Sequence, residues 1–436
     1  MKNNARRKDG YATPSGMFSW AMYDWANSAF PTVIQTFVFA AYFTRQIAVN
    51  ETVGSAQWGN TVSIAGVIIA VTGPILGAVA DQGGRRKPWI LGFTILCVLA
   101  TGMLWFVKPS NDYLLLALVM VALGTIGSEF SFVFYNAMLP NLVPKSRMGR
   151  WSGWAWGLGY AGGLVCLVVA LFAFVMPDHP LFGLERASAE HVRAVFVLVS
   201  VWYLVFSLPL FLVTPDVPGT GKKMKVAVKD GLKQLKRSIQ NVRKYRHIIR
   251  YLVARMIYID GLTTIFSFGG IYAAGTFDMT EQDVLMFGIA LNVTAGLGAA
   301  GFAWIDDWLG SRKTILISLA GLALSTTSIL LVDSNLMFWI LGMILGIFVG
   351  PAQAASRTFM ARLAPKDLEN EMFGLFALSG KVTAFLAPLL VGWVTYFTAS
   401  QRIGMSVIVV FLIIGFVLML SVKEQNNEQL TMTNDQ

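Results

Sequence analysis

Stretches of about twenty mostly apolar residues follow one another through almost the whole chain, and this spacing constrains its fold more than any other feature. A helix crossing roughly 30 Å of hydrocarbon needs about 20 such residues at about 1.5 Å each. They fall near 17–43, 58–80, 89–107, 113–138, 151–176, 192–213, 249–274, 284–305, 314–332, 336–360, 373–397 and 404–421. With 55% hydrophobic and only 13% charged residues, the chain lacks the polar surface that soluble domains need. The reading is an all-α membrane protein with 12 transmembrane helices.

A net charge of +10 suggests nucleic acid in a soluble protein, but here the basic residues occupy alternate loops, the pattern that orients membrane proteins. One set holds Lys2, Arg6, Arg7 and Lys8, then Arg85, Arg86 and Lys87, Lys145, Arg147 and Arg150, the strongly basic 214–248 segment, and Arg362 with Lys366. The other holds Arg45, Lys108, Arg186, Arg193 and Arg402. Both termini are therefore predicted to face the cytoplasm, and no nucleic-acid partner is expected. The first apolar stretch is too long for the apolar region of a secretory signal and is read as an uncleaved span. Cys97 and Cys166 fall inside spans, and His179, His191 and His247 are read as scattered loop residues. They supply no disulfide framework, and neither a metal nor a cofactor is expected. No nucleotide-binding loop, zinc-protease motif or nucleophile elbow occurs, so an enzyme or an ATP-driven pump is not expected.

The two halves of the chain repeat one another. Asp81-Gln-Gly-Gly84-Arg85-Arg86-Lys87 follows the second span and Asp307-Trp-Leu-Gly310-Ser-Arg312-Lys313 the eighth. In each, an Asp closes an apolar helix, a Gly follows three residues later and a basic pair ends the loop. Pro144-Lys145 with Gly153 and Gly159 matches Pro365-Lys366 with Gly374 and Gly380, and Asp24 through Phe30 aligns with Asp260 through Phe266. The predicted parts are an N-terminal six-helix bundle (1–213), a basic linker (214–248), a C-terminal six-helix bundle (249–422) and a polar tail (423–436). In the linker, Val228, Leu232, Leu235, Ile239 and Val242 recur at helical spacing among lysines and arginines. This predicts an amphipathic helix on the inner leaflet, with residues 222–250 facing anionic headgroups; a solvated linker is the alternative.

Charged side chains inside a span cost about 2.5–3.5 kcal/mol at the helix centre, so the retained ones carry information. They are Asp24, Glu129, Arg255, Asp260, Arg357 and Lys381. Glu129, near the middle of its span, is the stronger proton-site candidate: a cation arriving beside a buried carboxylate changes its affinity for a proton. A structural hydrogen bond to a neighbour such as Asn136 or Ser128 is the competing role. Arg357 and Lys381 suit either a substrate carboxylate or ion pairs between the halves. Arg255 and Asp260, five residues apart, do not share a helix face and are expected to have different partners. Asn27, Gln35, Asn136, Asn292 and Gln353 are uncharged cavity candidates, each equally suited to an interhelical hydrogen bond.

Two six-helix halves, a linker, and Gly77-x-x-x-Asp81-x-x-Gly84-Arg85-Arg86 after the second helix resemble the major facilitator superfamily over nearly the whole chain. Here Gln82 follows the Asp where the superfamily has a basic residue. The second copy has Ala303 in place of Gly77 and Ser311 in place of Arg85. Within the superfamily, Met22 through Phe30, Gly350-Pro-Ala-Gln353-Ala-Ala-Ser356-Arg357 and Phe373 through Phe376 with Gly380-Lys381 are similar to the vacuolar amino-acid effluxers linked to autophagy and their bacterial relatives. That resemblance implies pseudo-symmetric bundles, alternating access and export of small solutes, with neutral amino acids as one class. It also makes Gly77, Asp81, Gly84, Arg85, Arg86, Asp307, Gly310, Arg312 and Lys313 a conformational gate. Asp81 would accept N–H groups at the start of the eleventh helix, where the dipole favours an anion.

The expectation is a monomeric secondary transporter in a bacterial cytoplasmic membrane, with a small solute and protons as partners. Its solute or proton contacts are drawn from Asp24, Asn27, Glu129, Asn136, Asp260, Gln353, Arg357 and Lys381. The alternatives are a non-transporting receptor or scaffold, or a lipid, drug or metabolite carrier of the same fold.

Overall fold

The computed structural model describes residues 10–177, 181–240 and 245–423. Lys2, Arg6, Arg7, Lys8, His179, Val242, Arg243, Lys244 and the tail from residue 424 lie outside the described residues. The helices are α1 (Pro14–Asn27), α2 (Phe39–Tyr42), α3 (Glu51–Gly83), α4 (Lys87–Met103), α5 (Leu114–Leu142), α6 (Met148–Ala170), α7 (Glu190–Val213) and α8 (Met224–Gln240), followed by α9 (Arg246–Phe277), α10 (Glu281–Leu309), α11 (Ser311–Leu331), α12 (Asn335–Leu363), α13 (Glu369–Ser379), α14 (Leu386–Thr398) and α15 (Gln401–Leu420). Their starts carry the expected signals. Thr13 caps α1 ahead of Pro14, and Thr280 and Asp283 form a reciprocal capping box on α10. His191 and His247 stand in the first turns of α7 and α9, not in loops.

Among the described residues, ten helices are long and apolar enough to cross a membrane. The other two predicted spans, 17–43 and 373–397, are helical but interrupted. In the first, Pro31 opens a π-helical segment, Phe30–Phe37, where bonds such as Val38 N to Val33 O (2.8 Å) skip one residue more than in an α-helix. In the second, α13 stops at Ser379 and turns lead to Leu386.

The chain divides into two compact units. The first gathers residues up to 73, 84–142 and 158–220; the second gathers 74–83, 143–157 and those from 221 onward. In the first, α4 packs on α5 and α7, and α1 on α7. In the second, α12 packs on α10 and α11, and α15 on α9 and α11. Small residues set the α10–α12 distance. A Cβ at Gly298 would lie 2.7 Å from the Ile347 carbonyl carbon, and one at Gly350 would lie 2.9 Å from Ala299 Cβ. Close backbone approach of this kind replaces the hydrophobic drive that lipid does not supply.

The linker helix α8 docks through small residues. Ala227 is buried, and a Cβ on Gly231 would meet Val79 N and Ala78 C at 2.8 and 2.9 Å. Val228 and Leu232, the latter 47% accessible, face outward. The docked stripe is thus Ala227-Gly231-Gln234, while Val228 and Leu232 of the bulkier apolar stripe are exposed.

Candidate functional site

In the first unit the retained polar groups of α1 are built into an aromatic network. Trp20 stacks on Tyr135 with ring centroids 4.6 Å apart and donates its indole N–H to the Tyr135 carbonyl (3.3 Å). Asp24, buried one turn later, accepts the Tyr135 hydroxyl at 2.9 Å. Asn27 donates to Ser128 Oγ (3.2 Å) and to the Tyr203 hydroxyl (2.7 Å). That hydroxyl also lies 2.9 Å from both Tyr23 OH and Ser131 Oγ, and Tyr23 OH is 2.6 Å from Thr94 Oγ1. Helices α1, α4, α5 and α7 therefore converge on two linked buried hydroxyls, those of Tyr23 and Tyr203. Glu129 and Asn136 lie on the same helix as Ser128 and Ser131; Glu129 is half-buried and Asn136 buried. Gln35, in the π-helical segment, donates to Thr125 Oγ1 at 2.8 Å.

Tyr203→Phe removes the shared hydroxyl and leaves Asn27, Tyr23 and Ser131 each short of a partner. Loss of a buried hydrogen bond of this sort costs about 1–3 kcal/mol. The thermal midpoint of the purified protein is expected to fall, while Tyr396→Phe, at an exposed phenol, leaves it unchanged. Equal midpoints for the two variants would show that the hub carries no stability.

The second unit holds the two gate carboxylates, Asp81 and Asp307, with Gly77. Asp81, at the end of α3, accepts backbone N–H groups from Asn370 (3.0 Å, Oδ1) and Glu371 (2.9 Å, Oδ2), and also Asn370 Nδ2 at 2.7 Å. A carboxylate thus takes two orphan donors of the first turn of α13. Gly77 lies one turn earlier, where a Cβ would meet the Asn370 carbonyl carbon at 2.7 Å and Glu371 Cα at 2.9 Å. The second copy repeats this on α6: Asp307 accepts Gly149 N (2.8 Å) and Arg150 N (3.2 Å). Ala303 is accommodated because the glycine has moved to the other helix; a Cβ on Gly153 would lie 2.6 Å from Ala303 Cβ. Arg362 ties the site together, 3.0 Å from Asp306 Oδ1 and 3.4 Å from Asp307 Oδ1.

The basic members of the two loops are held by different contacts in the two units. In the first unit, Arg86 directs its guanidinium at the Asn141 side-chain oxygen, 2.7 and 3.1 Å away with the amide oriented to accept. Asp216 accepts the backbone N–H groups of Arg86 and Lys87, both at 3.1 Å. Gly84, at φ +81°, passes against Pro218, and Arg85 is exposed beside Gly219. In the second unit, Gly310 ends α10 at φ +87°, Arg312 donates to the last carbonyls of α15 through Leu420 O (2.7 Å), and Lys313 is exposed.

Arg357, 1% accessible, donates from Nε to Ser152 Oγ (2.9 Å) and from Nη2 to Ser152 O (2.7 Å) and lies 5.6 Å from the Trp156 ring. It ties α12 to α6. Tyr251 and Tyr258 donate to or share hydrogen bonds with Ser356 at 2.7 Å each. Gln353 and Lys381 are half-buried, and Asn292 donates to Gly288 O of its own helix (2.8 Å). Arg255 and Asp260 both turn toward the interrupted span, with different partners there: Phe376 and Ser379 for the first, Ala387 for the second. The tyrosines 23, 135 and 203 escaped the sequence reading, because a Tyr in an apolar pattern gives no sign of where its hydroxyl finds a partner.

The fold is shared with solved transporters. The structure superimposes on the proton:xylose symporter XylE with a TM-score of 0.71 at 13% identity, covering 93% of this chain and 94% of that one. It superimposes on FucP in the outward conformation with a TM-score of 0.70 at 15% identity, covering 95% and 100%. The fold is thus that of major facilitator superfamily transporters, with the paired helix-end clamps built on it. The chain is 27% identical to the MFS-type transporter YxiO of Bacillus subtilis over 95% of its own length and 96% of that protein's. It is 23% identical to autophagy-related protein 22 of Kluyveromyces lactis, covering 76% and 71%. A family model described as vacuole effluxer Atg22 like matches residues 59–430, and the chain belongs to that family.

Proposed function

We propose that the protein exports a small solute, with neutral amino acids the leading class, across a bacterial cytoplasmic membrane by proton-coupled alternating access. The observation that carries the reading is the duplicated clamp: one carboxylate at each of two helix ends, each holding two backbone N–H groups of another helix start. Such contacts are strong enough to hold a closed state, yet break without loss of any covalent or buried apolar structure. The vacuole effluxer description of the family supports outward movement, and the YxiO relative supports a bacterial membrane. In this reading both termini and the clamps face the cytoplasm, the clamps closing the inner gate, and the chain acts as a monomer. The exposed Val228 and Leu232 of α8 would meet the inner leaflet, its lysines the anionic headgroups. Asp24, Asn27, Glu129, Asn136, Gln353 and Lys381 are the proposed solute contacts and Asp260 a proton contact. Arg357, committed to Ser152, serves as an interhelical tie.

The test is flux of radiolabelled L-leucine and L-tyrosine from liposomes containing the full-length protein. Asp81→Asn keeps the shape but loses the charge facing the α13 dipole, and its amide group confronts one of the two N–H donors. A cap change of this kind costs about 1 kcal/mol, enough to shift a two-state equilibrium about fivefold. Slower flux with greater labelling of a cysteine placed at Gln82 is expected; unchanged flux and labelling would count against the gate, and no flux of either amino acid in the native protein against the solute class.

A further inference from the structure

The interruption of the eleventh span lies where α9 carries the two charges inside its span, Arg255 and Asp260. Arg255 meets the carboxyl end of α13: Nη1 donates to Phe376 O and to Ser379 Oγ, both at 2.7 Å, with the guanidinium 3.5 Å over the Phe376 ring. Asp260 meets the amino end of α14, where Oδ2 accepts Ala387 N at 3.1 Å. A cation thus faces the negative end of one half-helix and an anion the positive end of the other. In that first turn of α14 the Leu386 N–H is already bonded to Thr383 O (2.7 Å) and Pro388 has none. The Ala387 N–H is the donor left for Asp260.

Asp260 is 1% accessible, and its other oxygen, Oδ1, has no hydrogen-bond partner among the described residues. A buried carboxylate oxygen lacking a donor is costly unless a proton or cation satisfies it. The surroundings do not compete for it. At this level α15 presents Ile408, Phe411 and Leu412, and its charge, Arg402, is bonded to Asp333 and Val332 O. α14 has no acidic or basic residue, its one phenol being Tyr396. Glu369 and Glu371 of α13 stand at its opposite end, with Asp81. Arg357 and Arg362 of α12 are held by Ser152 and by Asp306 and Asp307. α10 has its acids at its two ends, Glu281 and Asp283, then Asp306 and Asp307. Arg246, His247 and Arg250 open α9, Tyr251 and Tyr258 bond Ser356, and Lys381 stands in the break.

We infer that Asp260 is the seat of the coupling proton: protonation at Oδ1 neutralises the carboxyl, loosens its hold on Ala387 and releases α14 to move against α13. This deepens the proposed proton coupling and rests on it. The proton moves from water to Oδ1 and back; no other bond forms or breaks.

Full-length protein in liposomes, followed by infrared spectroscopy through a pH titration, gives a readout independent of any solute. The C=O stretch of a buried carboxylic acid is expected to titrate in the native protein, disappear in Asp260→Asn and persist in Asp24→Asn and Lys381→Gln. Asp260→Glu should restore a shifted band. In the same vesicles, a pH step with one coupled proton drives about tenfold L-leucine accumulation per pH unit. Asp260→Asn should abolish that accumulation while exchange between equal concentrations continues. A titrating band that survives Asp260→Asn, pH-driven accumulation in that variant, or accumulation following sodium at constant pH would overturn the assignment. If leucine is not carried, the infrared titration alone decides Asp260, and the failure falls on the solute class.

Discussion

Gly77→Val is expected to slow transport by about five- to 150-fold, more than a substitution at any other position of the first clamp. A side chain there meets the Asn370 carbonyl carbon at 2.7 Å and Glu371 Cα at 2.9 Å. These are backbone atoms of the two residues whose N–H groups bond Asp81. No flexible side chain can yield, so α3 and α13 must separate, and separation breaks all the Asp81 hydrogen bonds together. Overpacking costs about 1–3 kcal/mol and about 1.4 kcal/mol is a factor of ten in an equilibrium. Maleimide labelling of Gln82→Cys, in a background where Cys97 and Cys166 are replaced, should rise in parallel. Normal flux with unchanged labelling would mean that α3 and α13 need not touch during the cycle.

Arg255→Ala is expected to lower stability by about 2–4 kcal/mol. The substitution takes the guanidinium donor from Ser379 Oγ and from Phe376 O, which keeps the Ser379 hydroxyl, and removes a cation from the face of an aromatic ring. Charged hydrogen bonds contribute about 1.5–3 kcal/mol each in water-soluble proteins, with smaller values between transmembrane helices, which sets the lower bound. Arg255→Lys keeps the charge but offers a point donor in place of a fork, so it should recover part of the loss. The thermal midpoint in detergent is the measurement; a native midpoint in Arg255→Ala would show that the end of α13 is satisfied without it.

The clamps were legible in the sequence because they depend on local rules. A Gly one turn before an Asp places both on one helix face, and a carboxylate suits a helix start wherever that start comes from. The tolerance of Ala303 was not legible, since the compensating Gly153 lies on another helix. The break at 380–385 was equally hidden. Residues 373–397 read as one apolar run, and the groups that make the interruption affordable, Arg255 and Asp260, lie more than a hundred residues away. The sequence had marked both as costly ions with separate partners, without showing that the partners were the two ends of one divided helix. For the linker, periodicity found the amphipathic helix and its bulky stripe but gave no sign of the small-residue stripe that docks on α3. Protein backbone accepts Gly231, where Val228 or Leu232 would hold the helices apart.

Gly231 lies against the backbone of Ala78 and Val79, and Gln234 bridges Gln82 to Glu371, with 2.7 Å between Gln234 Nε2 and Glu371 Oε2. The segment that joins one half of the sequence to the next is therefore stapled across the very contact that Asp81 makes. It is no slack tether. In the proposed alternating-access cycle, a stroke that parts α3 from α13 must either peel this helix away or carry it along with one side, so unstapling it would add to the cost of each turn.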